Sequence, residues 1–305
     1  MTPDLVLLGN LLVDDVVFPD GRTRMGQPGG AMLYASLAAA LWGARAGCVS
    51  LQGDDYPERA LDELRARGIA PGGFRPLGRN GVRTWHLSEG RVRRVVHRLG
   101  VLSHEAVSPE PGDVPEIWRT AKAFHLAPMP IAQQERQAAA LGAAGAHGSI
   151  DPHELVTEHS LPRWRELLAQ TDAFFPSEDE LRLDDAQTDP RRALKRLAGG
   201  LGRLRFVAYK RGLKGGLLYD AREDRFHEWA ARTHGVVDPT GAGDAFATGF
   251  LVAHLRGLPI EDCLRHGVVS ASFAIEDWGP DGLLAATPPD AAARLREWYG
   301  QEAHA

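Results

Sequence analysis

The run Val237-Asp238-Pro239-Thr240-Gly241-Ala242-Gly243-Asp244-Ala245-Phe246 carries the clearest chemistry in the chain. Two glycines and a small alanine leave a bare backbone just ahead of a helix expected to run to residue 256. Backbone N–H groups at such a helix start converge on one point, and the helix dipole adds positive potential there. An anion fits at Gly241, Ala242 and Gly243, and a phosphoryl group is the best match. A carboxylate beside an anion hole is unfavourable unless it acts on a proton, so Asp244 is a candidate general base. Phosphoryl transfer needs little beyond alignment, charge neutralisation and a proton acceptor. The competing reading is an ordinary helix N-terminus with an acid in its first turn. Gly-Ala-Gly-Asp alone does not separate the two, whereas the longer run is far more specific.

That longer run resembles the C-terminal signature of the ribokinase-like (PfkB) family of ATP-dependent sugar and nucleoside kinases. The resemblance extends over nearly the whole chain. Gly9, with Asp14 five residues on, resembles the family's first strand, whose Asp binds substrate hydroxyls. Gly29-Gly30-Ala31 before a helix resembles the N-terminal signature, whose diglycine is a hinge under a lid. Gly53-Asp54 resembles the third-strand loop, and Lys210-Arg211-Gly212-Leu213-Lys214-Gly215 the loop that meets the nucleotide.

The resemblance implies that Asp244 deprotonates the acceptor hydroxyl while the N–H groups of Gly241, Ala242 and Gly243 hold the moving phosphoryl. It implies substrate contacts at Asp14, Gly29 and Gly30, and nucleotide contacts at Lys210, Gly212, Gly215 and Thr240. ATP and Mg²⁺ follow as cosubstrate and cofactor. K⁺ activation near Asp238 is left open, because some relatives are activated and others are not. Lids in the family often pair, so a homodimer is expected. Val268 to Ile275 is expected to form part of the adenine wall.

Two places depart from the family. An Asn-x-x-Glu motif that organises Mg²⁺ through water reads Ser177-Glu178-Asp179-Glu180 here, with Ser for Asn and the Glu retained. Ser followed by Glu three residues on is also a capping box, and both readings stand together. The Asn that contacts a sugar hydroxyl in ribokinases is replaced by Tyr34, and Leu12 stands where they carry another polar residue. A pocket with an aromatic face and fewer polar partners discriminates against ribose. The expected reaction is γ-phosphoryl transfer from ATP to a sugar or polyol, inositol-type acceptors included. A nucleoside or sugar-phosphate kinase is the alternative, and a silent sugar- or nucleotide-binding regulator a more distant one.

The elements that must position these residues follow from hydrophobic periodicity. Leu5–Leu8, Ala46–Leu51, Ala123–Leu126, Gly148–Asp151, Ala173–Pro176, Arg205–Tyr209 and Gly216–Asp220 are strand-like, with Leu11–Phe18 a more exposed strand. Helices are expected at Ala31–Leu41, Glu58–Arg67, 131–146, 160–170, 190–201, 241–256, 260–276 and 289–299. This alternation predicts a doubly wound α/β fold, mostly parallel and flanked by helices, as one domain over 1–305. Residues 19–28 read as a polar turn region. Arg83–Leu87 and Arg91–His97 read as a hairpin around a Ser-Glu-Gly turn, polar on one face. With the strand at Leu11–Phe18 it is expected to form a small projecting sheet, and the resemblance implies that this sheet, from about 11–28 and 75–101, is a lid that keeps water from the reaction. Alternation places Arg83 and Trp85 on one lid face, to close on the substrate or simply to be solvated. His125, Asp151 and His153 sit at strand ends, but their spacing matches no zinc pattern.

Composition narrows the classes further. The 305 residues are 44% hydrophobic and carry a net charge of −5, with no basic tract. That argues against phosphate-neutralising nucleic-acid binding. Two cysteines, Cys48 and Cys263, are too few for a disulfide framework, so a reducing cytoplasm is expected. No run is long enough to span a membrane, and the N-terminus lacks the basic region of a signal peptide.

Overall fold

Leu5–Leu8 (β1) is apolar at every position and wholly buried, the pattern of a strand covered on both faces. It lies inside a nine-stranded sheet of the computed structural model, which describes residues 2–300 except 19, 90, 91, 99, 101, 143 and 144, and only the backbone at 71, 88, 89 and 92–94. In chain order, β1 is followed by β2 (Leu12–Val17), β3 (Thr23–Gly29), α1 (Ala31–Leu41), β4 (Ala46–Gln52), α2 (Glu58–Ala66), β5 (Ala70–Pro76), β6 (Arg83–Glu89) and β7 (Val92–His97). Next come α3 (His104–Val107), β8 (Ala123–Leu126), α4 (Ile131–Gly142), β9 (His147–Ile150), β10 (Val156–Thr157), α5 (Leu161–Leu168), β11 (Ala173–Phe174) and β12 (Leu181–Arg182). The C-terminal part holds α6 (Pro190–Ala198), β13 (Phe206–Lys210), β14 (Gly216–Asp220), β15 (Arg225–Trp229), α7 (Ala242–Leu255), α8 (Ile260–Ile275), α9 (Asp281–Ala285) and α10 (Pro288–Tyr299).

The large sheet runs β15-β14-β13-β11-β9-β8-β1-β4-β5, parallel except at the antiparallel edge pairs β13/β14 and β14/β15. Alternation along β1 divides the core. Leu5 and Leu7 pack with α1, α2, α8 and α10 on one face, and Val6 and Leu8 with α4, α5 and α6 on the other. Helices on both faces of a parallel sheet make the doubly wound architecture, in which ligands meet the C-terminal strand ends.

A separate sheet, β3-β2-β6-β7, forms the lid. Its strands span 12–29 and 83–97, the first shifted by one residue from the expected 11–28 and the second shorter than the expected 75–101. Thr23–Gly29 is a strand paired to β2, not part of a polar turn. Residues 70–76 belong to the main sheet, as edge strand β5 beside β4. Two prolines and two glycines hide that strand in the sequence, yet the edge tolerates proline. Gly73 is required there, because a Cβ would lie 2.4 Å from the Cys48 carbonyl oxygen. Gly90 and Arg91, at the expected hairpin turn, lie outside the described residues.

Candidate active site

The start of α7 is built by backbone conformation. Gly241, its N-cap, adopts φ 75, the left-handed region that disfavours side chains. A Cβ there would also lie 2.0 Å from Cδ1 of Tyr34, whose buried ring supports the turn from α1. Asp238 fixes the approach: Oδ1 accepts the N–H and hydroxyl of Thr240, and Oδ2 accepts the Gly279 N–H at 3.1 Å. Gly241–Gly243 thereby form the first turn of α7, where the Ala242 N–H donates to the Pro239 carbonyl at 3.4 Å, and the residues from Ala245 to Ala253 are all buried.

Charge gathers beside this helix start. Asp151 ends β9, and its Oδ2 accepts a 2.6 Å hydrogen bond from Nζ of Lys210 at the end of β13. The same Nζ lies 2.9 Å from where a Cβ on Gly243 would stand, so the ammonium sits against the anion hole. Burial opposes the Lys210 charge, but Asp151, Glu180 and Asp244 together hold its pKa above the ordinary value. Burial pushes Asp151 up; Lys210 pulls against that shift, while Glu180 and Asp244 add to it. Burial likewise pushes Asp244 up to about 6, with Lys210 opposing and Glu180 reinforcing. A carboxylate with a pKa near 6 is a better proton acceptor than an ordinary Asp and is still ionised at neutral pH.

Two pockets meet at this loop. A cleft of about 560 Å³ is lined by Ala242, Gly243, Asp244, Lys210, Gly212 and Gly215, with Val268, Ala271 and Ile275 of α8 along one wall. A smaller pocket, about 20 Å³, is lined by Asp14, Tyr34, Thr240 and Asp238 together with Phe18, Arg24, Gln27, His86 and Trp278. The 238–244 segment therefore separates the two, with Asp244 on the larger side. The expected adenine wall at 268–275 does line the large cleft. Thr240 differs from its expected nucleotide contact and faces the smaller pocket.

Asp14 reaches that pocket because Gly29 makes room for it: a Cβ on Gly29 would lie 2.0 Å from Oδ2. Oδ1 accepts a 2.5 Å hydrogen bond from the Thr84 hydroxyl and lies 3.1 Å from Nε2 of His86. The register Asp14↔Thr84 and Val16↔His86 puts these groups on one lid face. Gly30, with φ 93, caps α1 beside them.

Arg83 and Trp85 correct the sequence reading. They share a face as expected, but it is the opposite one. Arg83 donates to both carboxylate oxygens of buried Asp15, at 3.0 and 2.7 Å, and Trp85 lies under the Arg98 guanidinium, 5.7 Å away. Neither lines a pocket of the site. The residues brought there instead include His86, Arg24, Gln27 and Trp278, with Thr84 behind them on Asp14. Thr84 and His86 were legible as the other half of the same alternation; Trp278 had no local signal.

Ser177 and Glu180 both line the large cleft, where Glu180 Oε2 accepts the Ser177 N–H at 2.7 Å. That is half of a capping box, but it closes a turn, not a helix. His125 takes a core role: its Nδ1 meets Ser149 Oγ at 3.0 Å, and burial, reinforced by Lys210, lowers its pKa to about 3. His153 stacks on His104, ring centroids 5.0 Å apart. Among the described residues no three His, Cys, Asp or Glu groups converge to hold a metal directly. The three carboxylates Asp151, Glu180 and Asp244 nevertheless outnumber their single ammonium, Lys210. That excess fits a hydrated divalent cation whose remaining ligands are waters and phosphate oxygens, the ordinary habit of Mg²⁺.

A doubly wound body thus carries a small β sheet over a polar-aromatic pocket, and the Asp244 carboxylate stands at a glycine-built helix start. Residues 11–285 match the pfkB family of carbohydrate kinases, and the chain belongs to that family. Its members move a phosphoryl group from ATP to a sugar or nucleoside hydroxyl. The cytidine kinase of Thermococcus kodakarensis is 32% identical over 284 residues, 90% of this chain and 97% of its own. The ATP-dependent ribose-1-phosphate kinase of Halopiger xanaduensis is 29% identical over 93% of this chain and 92% of its own. The Burkholderia thailandensis nucleoside kinase in complex with inosine superposes with a TM-score of 0.76 at 19% identity, over 97% of this chain and 99% of that one. Ribokinase of Arabidopsis thaliana, complexed with ribose and ATP, gives 0.73 at 20% identity over 97% and 99%. Among the described residues no helix is long and apolar enough to cross a membrane.

Proposed function

We propose that this chain is a nucleoside kinase, transferring the γ-phosphoryl of ATP to a sugar hydroxyl of a nucleoside. The observation that carries the choice of acceptor is the small pocket, where the Asp14 carboxylate stands among three aromatic rings, Phe18, Tyr34 and Trp278. A carboxylate suits sugar hydroxyls, and aromatic faces suit a base. The resemblance to a cytidine kinase over most of both chains supports the same reading.

In this reading Asp14 orients the sugar, Thr84 and His86 hold Asp14, and Asp244 takes the proton from the attacking hydroxyl. The N–H groups of Gly241, Ala242 and Gly243, with Lys210 beside them, bind the transferring phosphoryl. Gly212 and Gly215 bring the backbone to the nucleotide, while 268–275 walls the base. Mg²⁺ supplies neutralisation of phosphate charge, and Asp151 and Glu180, with Ser177 nearby, would hold its waters. Work in the cytoplasm as a homodimer completes the proposal.

An ADP-release panel tests it, with cytidine, inosine, ribose, fructose, inositol and ribose 1-phosphate as acceptors. Nucleosides are expected to give the highest kcat/KM, and a clear preference for a bare sugar or polyol overturns the reading. The same panel with and without K⁺ decides whether a monovalent cation acts through the Asp238 loop.

A further inference from the structure

We infer that Phe18 and Trp278 form the nucleobase clamp, the base stacking between a ring of the lid and a ring of the body. The inference rests on the nucleoside reading above. Phe18 follows β2 and travels with the lid, whereas Trp278 precedes α9 and belongs to the body. Their rings meet edge to face, centroids 4.4 Å apart at 83°. Both line the small pocket, and the 20 Å³ it encloses is far less than a nucleoside requires. Entry therefore demands that lid and body separate at this pair.

Beside it, Arg24 Nη1 meets Asp281 Oδ2 at 2.7 Å across lid and body, with both side chains about two-fifths exposed. An exposed pair of this kind holds weakly. The aromatic contact is the better candidate for what binding must exchange. Separating the rings exposes aromatic surface, and a planar base entering between lid and body restores stacking while Asp14 holds the sugar. A sugar without a base leaves the gap unfilled. The same two rings thus join lid to body and select for an acceptor that carries a base.

Calorimetric titration with cytidine tests this on the full chain, comparing wild type with Phe18→Ala, Trp278→Ala and Trp278→Phe. Loss of a base–aromatic stack predicts a cytidine Kd about tenfold weaker in each alanine variant. Trp278→Phe, which keeps a ring, is expected to recover most of that loss. Titration with ADP, which uses the other cleft, reports whether each variant is folded. Cytidine binding as tight as wild type in folded alanine variants overturns the clamp while leaving the nucleoside reading intact. Turnover of ribose but of neither cytidine nor inosine by the wild type overturns both.

Discussion

At the scale of single residues, the chemistry converges on Asp244. Its carboxyl is pushed up to about 6 by burial, so it must lose its proton before it can accept one. kcat is therefore expected to fall as pH drops through about 6 and to level off above it; a flat profile between pH 5 and pH 8 would remove Asp244 from the role of base. Asp244→Asn keeps the shape and loses the acceptor, and general-base loss predicts a fall in kcat of about 10²–10⁴-fold with ADP still bound. The linkage has the opposite sign from that of an ordinary salt-bridged Asp. A folded-state pKa above the unfolded value of about 3.9 means the ionised carboxylate disfavours folding, fully so above the folded pKa. Asp244→Asn is thus expected to raise the melting temperature at pH 8 and to lose that advantage below pH 4; an unchanged or lower Tm at pH 8 contradicts the burial argument. Asp244, its glycines and Asp14 were legible in the sequence because each sits in a short local motif. Lys210 was visible as a loop residue, but its seat against Asp151 and Gly243 depends on two distant strand ends, β9 and β13, being neighbours across β11. No local pattern encodes that.

At the scale of elements, the site is held by a helix that begins where only glycine fits. Gly241 is constrained twice, by φ 75 and by the Tyr34 ring 2.0 Å from any Cβ. Left-handed backbone costs a non-glycine residue roughly 1–2 kcal/mol, and the ring must move as well. Gly241→Ala is expected to unfold at lower temperature and to lose at least about tenfold in kcat/KM, because the N–H groups of the hole are displaced. A variant with wild-type kinetics would show that the hole is not formed by this turn. Tyr34 entered the sequence reading as a substrate contact; the structure adds a second role, as the prop beneath the anion hole. Alternation gave the lid strand β6 its two faces, but which face looks inward follows from the parallel register with β2 and the burial of Asp15 behind it. Alternation alone therefore leaves open whether Arg83 and Trp85 or Thr84 and His86 face inward. Periodicity finds faces, and only pairing orients them.

At the scale of the whole molecule, the doubly wound body was readable because its strands are short apolar runs spaced by amphipathic helices. The lid was readable because it breaks that rhythm. What the rhythm leaves open is how the lid's own edge is covered. Among the described residues β7 pairs with β6 alone, which leaves its other side an open edge. Val95 and Val96 on that strand are 53% and 45% exposed, and Met25 on the opposite edge strand is 45% exposed. β7 carries Arg93 and Arg94 as well as these valines, and its free edge still offers backbone groups for pairing with another chain. Pairing β7 with the β7 of a second copy about a twofold axis would join two lids into one sheet and bury these valines. Light scattering is expected to give twice the monomer mass for the wild type, and Val95→Lys to shift it toward monomer by placing a charge on the strand. A wild type that is monomeric at assay concentration removes the dimer. A Val95→Lys protein that stays dimeric moves the interface away from β7.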